Sequence, residues 1–179
     1  MELVTGLAGP ADRLCPPYPP ELASTLALSA AADTMRAVRA LPGRHRTTVA
    51  VERALAGTGP RPGPVLLVAA ETPQLSPDLL ADAIGLLDDF DAVLGPTTGD
   101  GWWAFGLSEP AHAALGPSTG LGSLTVAALR LGLRVAMLPT LRGLYTGADV
   151  LPVAAQCRAG SLFAATAARL TPHSTTAAP

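Results

Sequence analysis

An unbroken apolar run, Pro64-Val65-Leu66-Leu67-Val68-Ala69-Ala70, stops abruptly at the acidic turn Glu71-Thr72-Pro73-Gln74-Leu75. Such a run has no polar alternation. It suits a central strand buried on both faces, the kind found in parallel sheets whose crossovers are helices. The next residues support that reading. Ser76-Pro77-Asp78 combines an N-cap, a proline at the first helical position and an acid in the first turn. Leu79, Leu80, Ala83, Ile84, Leu87 and Phe90 then recur at helical spacing. A second strand starts at Asp91 to Leu94. After the turn Gly95-Pro96-Thr97-Thr98-Gly99-Asp100-Gly101, a further strand runs from Trp102 to Leu107.

The same alternation extends over the chain. Residues 2–7 form a short first strand, and the Gly- and Pro-rich stretch 8–20 is a loop. A helix is expected over 21–40, with Leu28, Ala31, Ala32, Met35 and Val38 as its apolar stripe and Pro42-Gly43 as its stop. Thr47 to Val51 is β-branched and strand-like, and 57–63 is a connector rich in turn residues. Later come a helix over 123–131, a strand over 134–138, and a helix over 148–170 broken near Gly160. Strands alternating with helices imply an α/β fold with a mainly parallel sheet covered on both faces, a three-layer αβα sandwich. Residues 1–170 form one domain, and the polar tail 171–179 is expected to be disordered.

Composition narrows the function classes. The 179 residues are 49% hydrophobic with a net charge of −2. That excludes a disordered chain and gives no electrostatic footprint for nucleic acid or a membrane surface. All 12 basic residues are arginine, so any side-chain clamp on a phosphate must be a guanidinium. Cys15 and Cys157 fit neither a metal pattern nor a disulfide framework. No run reaches the roughly 18 apolar residues of a spanning helix. The start is too short and uncharged for a signal peptide. The expected location is cytoplasmic.

The segment Val65–Leu107 resembles the bacterial DUF2064 family, which is glycosyltransferase-like and related to nucleotidyltransferases of the GT-A, nucleotide-diphospho-sugar transferase fold. The family's Gly-x-Asp-[Ser/Thr]-Pro-x-Leu turn stands here as Ala69-Ala70-Glu71-Thr72-Pro73-Gln74-Leu75. Its Asp-x-Val-x-Gly-Pro stands as Asp91-Ala92-Val93-Leu94-Gly95-Pro96. Its Asp-Gly-Gly-Tyr-x-x-x-Gly-Leu stands as Gly99-Asp100-Gly101-Trp102-Trp103-Ala104-Phe105-Gly106-Leu107. Weaker echoes lie at Arg13-Leu14-Cys15-Pro16-Pro17, Ala32-Asp33-Thr34, Ser118-Thr119 and Gly132–Pro139. The departures fall on ligand-binding positions. The family's first-loop lysines are missing from Gly6–Arg13, its turn aspartate is Glu71, and its Asp-Gly-Gly acid is displaced by one place. Its later Asp-x-Asp-Thr turn appears as Gly143-Leu144-Tyr145-Thr146, with both acids gone.

The resemblance implies a transferase using a nucleotide-activated small-molecule donor, a nucleotide sugar, with Mg²⁺ or Mn²⁺. Glu71 follows a buried strand and Asp100 lies between two glycines, so both are candidates to hold the metal and donor. Each has a plainer alternative, Glu71 as a cap of its turn and Asp100 as a turn residue. The loop with Gly6, Gly9 and Arg13 stands between a strand and a helix, where phosphate binding is expected. Thr72, Gly101, Trp102 and Thr119 complete the substrate-binding set. Trp102 can stack on a ligand while Trp103 packs inward, or both can belong to the core. His45, His112 and His173 share no motif with an acid or nucleophile. The transferase reading requires Glu71 and Asp100 to converge at one cleft mouth. Two alternatives stand beside it: a nucleotidyltransferase, and a degenerate relative that binds a ligand or protein partner without turnover. The sequence leaves a homo-oligomer open.

Overall fold

The computed structural model of the protein describes residues 2–6, 11–42, 46–50, 63–99, 101–109 and 132–170. Six strands form one sheet: β1 (Glu2–Gly6), β2 (Arg46–Ala50), β3 (Val65–Val68), β4 (Ala92–Pro96), β5 (Trp102–Leu107) and β6 (Val135–Met137). Their spatial order is β2-β1-β3-β5-β4-β6. β1 pairs in parallel with β2 and β3, and β4 with β6, while β5 runs antiparallel to both its neighbours. The sheet is therefore mainly parallel, with one reversed strand. That reversal follows from chain length, because the short turn from Thr97 to Gly101 has no room for a crossover helix and can only return as a hairpin.

Among the described residues four helices accompany the sheet: α1 (Pro20–Arg39), α2 (Pro77–Gly85), α3 (Val150–Ala154) and α4 (Leu162–Leu170). Short 3₁₀ turns lie at Ala11–Leu14, Leu86–Asp88 and Gly147–Asp149. The Ser76 hydroxyl accepts from the Leu79 N–H at 3.0 Å, capping α2 as its sequence implies. Both sheet faces are apolar and shielded, as a three-layer sandwich requires. Leu66, Val68, Val93 and Trp103 pack with Leu80, Ala83 and Leu87 of the α2 segment and with Ala37, Val38 and Leu41 at the end of α1. Val65, Leu67, Ala92, Phe105 and Leu107 form the opposite cluster. The helix expected over 123–131 and the tail 171–179 lie outside the described residues.

The helix expected over 148–170 is three pieces, the 3₁₀ turn, α3 and α4. Its break lies at Gly160, which adopts φ +80°, a left-handed value that glycine takes without strain. The face of α1 also differs from the expected stripe. Its buried residues are Ala23, Leu26, Ala27, Ala30, Asp33, Thr34, Ala37 and Val38, whereas Leu28 is 69% exposed. The true stripe keeps helical spacing but includes two polar residues, both hydrogen-bonded. Asp33 accepts from Ser161 Oγ at 2.7 Å and from the N–H groups of Leu162 and Phe163 at 3.1 and 2.9 Å. Ser161 Oγ accepts from the Ala164 N–H at 2.9 Å. The first donors of α4, which have no partner within a helix, are thus satisfied.

Beside the Thr97–Gly101 turn the pairing of β4 and β5 is irregular. Gly95 pairs with Ala104 and Pro96 with Trp102, leaving Trp103 as an extra residue. The two tryptophans face opposite ways by ordinary alternation, and the bulge puts Trp103 on the same face as Ala104. Trp103 is fully buried in the α2-side cluster, and Trp102 packs against the opposite one. The indole N–H of Trp103 donates to the Pro139 carbonyl at 2.9 Å. Its ring lies flat against Gly95, where an added Cβ would meet Nε1 at 2.6 Å and Cζ2 at 2.8 Å. A ring tethered by its N–H cannot retreat. Gly95→Ala is therefore expected to destabilise the protein by about 1–3 kcal/mol and to lower its melting temperature by several degrees. An unchanged thermal unfolding curve would show that the indole is not held there.

Candidate functional site

The carboxyl ends of β1, β3, β4 and β6 and the start of β5 share one edge of the sheet. The strand order reverses between β1 and β3, since the chain passes from β1 to β2 on one side and from β3 towards β4 on the other. Crevices at such reversals, outside the carboxyl ends of the strands, are where open α/β sheets hold ligands. There, Arg13 from the turn after β1 meets Glu71 from the turn after β3, with Nη2 2.6 Å from Oε2 across 58 residues of sequence. The Glu71 side chain is 15% exposed and that of Arg13 is 40% exposed, so both reach the rim.

Each partner is positioned from beneath. The Glu71 turn is closed by the Leu75 N–H donating to the Thr72 carbonyl at 3.1 Å. The buried Thr72 donates its hydroxyl to the Ala69 carbonyl at 3.0 Å and its N–H to Thr34 Oγ1 of α1 at 3.2 Å. Gln74 Nε2 donates to the Arg142 carbonyl at 2.7 Å, tying this turn to the loop after β6. On the other side, Leu14 beside Arg13 and Leu144 beside Tyr145 are buried in one cluster with Leu26, Ala30, Val150, Val153 and Phe163. Gly147 lies so close to the Leu14 and Pro16 carbonyls that a Cβ would meet each at 2.8 Å. The Arg13 loop and the Tyr145 loop are thus packed against each other.

The loop after β6 is clamped by Asp149. One carboxylate oxygen accepts from Arg142 Nε and Nη2 at 3.2 and 3.1 Å. The other accepts from the N–H groups of Tyr145 and Thr146 and the Thr146 hydroxyl at 3.2, 3.0 and 3.0 Å. Tyr145, so held, hydrogen-bonds the hydroxyl of Thr97. Its ring fills a cradle of three glycines: a Cβ on Gly101 or Gly143 would overlap it, and one on Gly99 would press on it at 3.2 Å. Thr97 in turn donates its N–H to the Gly101 carbonyl at 3.0 Å.

Of the residues singled out in the sequence, Arg13 and Glu71 come together. Thr72 lies beneath Glu71 with both its polar groups serving the turn. Gly101 sits in the Tyr145 cradle, Trp102 packs on the sheet face, and Gly6 ends β1 opposite Ala50. Gly9, Asp100 and Thr119 lie outside the described residues. Sequence reasoning missed Thr34, Gln74, Thr97 and Asp149. The available signal for Thr34 was a polar pair, Asp33-Thr34, inside an otherwise alanine-rich helix.

A divalent cation needs several hard oxygen ligands. Among the described residues no three His, Cys, Asp or Glu side chains gather, and Glu71 Oε2 already holds a guanidinium. Charges of two and one about 4 Å apart repel by on the order of 8 kcal/mol at an effective dielectric of 20. The described residues do not fit Mg²⁺ or Mn²⁺. No helix among them is long and apolar enough to cross a membrane.

Comparison with known proteins agrees with this architecture. A family model for an uncharacterised protein conserved in bacteria, DUF2064, matches residues 27–117. The crystal structure of a candidate nucleotide-diphospho-sugar transferase from Desulfovibrio desulfuricans G20 superimposes with a TM-score of 0.59 at 16% identity, over 84% of each chain. A mycobacterial protein, the Rv0371c homolog from Mycobacterium sp. strain JC1, gives 0.55 at 17% identity, over 87% of this chain and 96% of that one. At such identities these likenesses establish the fold. Rv0371c of Mycobacterium tuberculosis H37Rv has been crystallised with manganese. It matches at 23% identity over 79% of this chain and 88% of its own, with a TM-score of 0.43, too low to carry the metal over. No curated protein matches the chain.

Asp149 provides a test of the clamp. Its partial burial alone would raise its pKa, but the bonds from Thr146, Arg142 and the Tyr145 N–H outweigh that and hold it below the usual aspartate range. A depressed folded pKa contributes stability that is complete above the unfolded value and lost as pH falls through the folded one. Asp149→Asn is therefore expected to melt below the wild type near neutral pH, with the gap closing below about pH 4. A gap that stays constant from pH 7 to 3 would refute the charged clamp.

Proposed function

The chain belongs to the DUF2064 family, and from that membership and the rim geometry we propose a transferase that acts on a nucleotide-activated donor, most specifically a nucleotide sugar. The observation that carries the reading is the Arg13–Glu71 contact at the reversal of strand order. It places a permanent cation and an acid over the crevice where such folds bind nucleotides. Arg13 is assigned to the donor phosphates. The turn bearing Thr97 and Gly101, braced by Tyr145, is assigned to the opposite lip. In transfer, the bond between the carried group and the diphosphate breaks, its electron pair stays with the leaving phosphate, and the acceptor oxygen forms the new bond and releases its proton to water. A preorganised guanidinium stabilises the charge that develops on the leaving group. Nucleotidyl transfer would use the same donor-binding half. The protein is proposed to work in the cytoplasm on small molecules, without nucleic acid.

A second reading, binding without turnover, is favoured by Tyr145. Where the resemblance aligns acids of the family's later turn, this chain has Gly143 and a phenol locked into the glycine cradle.

A thermal-shift panel of UDP-, GDP- and CDP-sugars, run with EDTA and with Mn²⁺, tests the proposal. A true donor at a hundred times its Kd is expected to stabilise by about 2.7 kcal/mol, a rise in melting temperature of roughly 5–10 °C. A flat response across the panel under both conditions would overturn it. Release of nucleoside diphosphate from the stabilising donor separates turnover from binding.

A further inference from the structure

We infer that this chain grips the diphosphate of its nucleotide ligand without a divalent cation, the Arg13 guanidinium supplying the positive charge. The inference rests on the donor-binding reading above and adds to it the means of recognition.

Three observations converge. First, Arg13 Nη2 lies 2.6 Å from Glu71 Oε2, so the carboxylate best placed to receive a metal is neutralised by a fixed side-chain cation. Second, that cation is accessible. Its side chain is 40% exposed, and the contact with Glu71 engages one nitrogen of a group with five N–H donors. A guanidinium matches two phosphate oxygens at once, which a compact ammonium cannot do. Third, the chain contains no lysine, so arginine is its only permanently charged side chain able to meet a phosphate.

The ion pair also sets the sign of the response to mutation. Glu71 competes with a phosphate for Arg13. Removing the acid's charge frees the guanidinium, so an incoming anion binds better. If Glu71 were instead a metal ligand, the same change would abolish binding. The two arrangements thus predict opposite outcomes for one substitution.

The experiment is calorimetric titration of UDP, GDP and CDP into the full chain, in EDTA and in Mn²⁺. It uses wild type, Glu71→Gln, Arg13→Gln and Arg13→Lys. Melting curves of the unliganded variants, recorded first, establish that each is folded. The expected wild-type affinity for the best nucleotide changes less than about threefold between EDTA and Mn²⁺. Glu71→Gln is expected to bind as tightly or tighter, and Arg13→Gln about tenfold or more weakly, with partial recovery in Arg13→Lys. Binding that requires Mn²⁺ and disappears in Glu71→Gln would overturn the inference and leave the donor-binding reading standing. No binding by wild type under either condition would overturn that reading and the inference with it. Should a variant fail to fold, the wild-type comparison of EDTA with Mn²⁺ still decides.

Discussion

Two adjacent side chains of α1 hold the working edge of this protein together. Asp33 points into the N-terminus of α4, and Thr34 receives the N–H of Thr72 beneath Glu71. A buried carboxylate is costly unless its oxygens are satisfied. Here they meet one hydroxyl and two N–H groups that would otherwise have no helical partner. The helix thereby fixes two segments far from each other in sequence, Thr72 and Ser161–Phe163, one bearing the candidate ligand site and the other closing the back of the loop cluster. Arg36 reinforces the join by donating to the Gly160 carbonyl at 3.0 Å.

This arrangement explains what could be read from the sequence and what could not. The strand at Val65–Val68, the Ser76 cap of α2 and the final strands all rest on local rules. An apolar run, an N-cap preceding proline, and a short glycine turn act within a few residues, and they left clear marks. The face of α1 did not. A stripe chosen for hydrophobicity passes over Asp33 and Thr34 and settles on Leu28, one position round the helix. The correct face is defined by partners at Ser161–Phe163 and Thr72, and those lie beyond any local window. The bulge at Trp103 was hidden for a similar reason. Alternation along a strand foretold that the two tryptophans would part, but the extra residue that places Trp103 beside Gly95 depends on its pairing with β4.

The candidate site was legible in part. Glu71 stood out because an acid in the turn after a buried strand can either cap that turn or face the crevice above the sheet. Arg13 stood out as a cation in a loop where the family resemblance expects lysine. That they touch is a property of the strand order, which brings the ends of β1 and β3 side by side although the chain visits β2 between them. Tyr145 was noted only as a lost acid. Its role emerges from three glycines in two different loops, each losing its side chain to make space for one ring. The loss of an acid and the glycine cradle are therefore one structural change, a phenol occupying and bracing the lip between the turns after β4 and β6.

Energetics separate the two polar assemblies on this edge. Asp149 accepts five hydrogen bonds from Arg142, Tyr145 and Thr146, and its depressed pKa makes its contribution to folding depend on pH. It serves to hold a loop in one shape. The Arg13–Glu71 pair is about as exposed as Arg142–Asp149 but meets through one guanidinium nitrogen, and ion pairs at a rim contribute about 0–1 kcal/mol to stability. Stability is therefore a weak reason for a long arginine and a glutamate to meet at the reversal of a sheet. A guanidinium stays charged throughout the physiological range, so its attraction for an anion does not titrate away. In the function proposed above, the acid beside it would hold the guanidinium until a stronger anion arrives, so the rigid clamp would shape the rim and the exchangeable pair would meet the ligand.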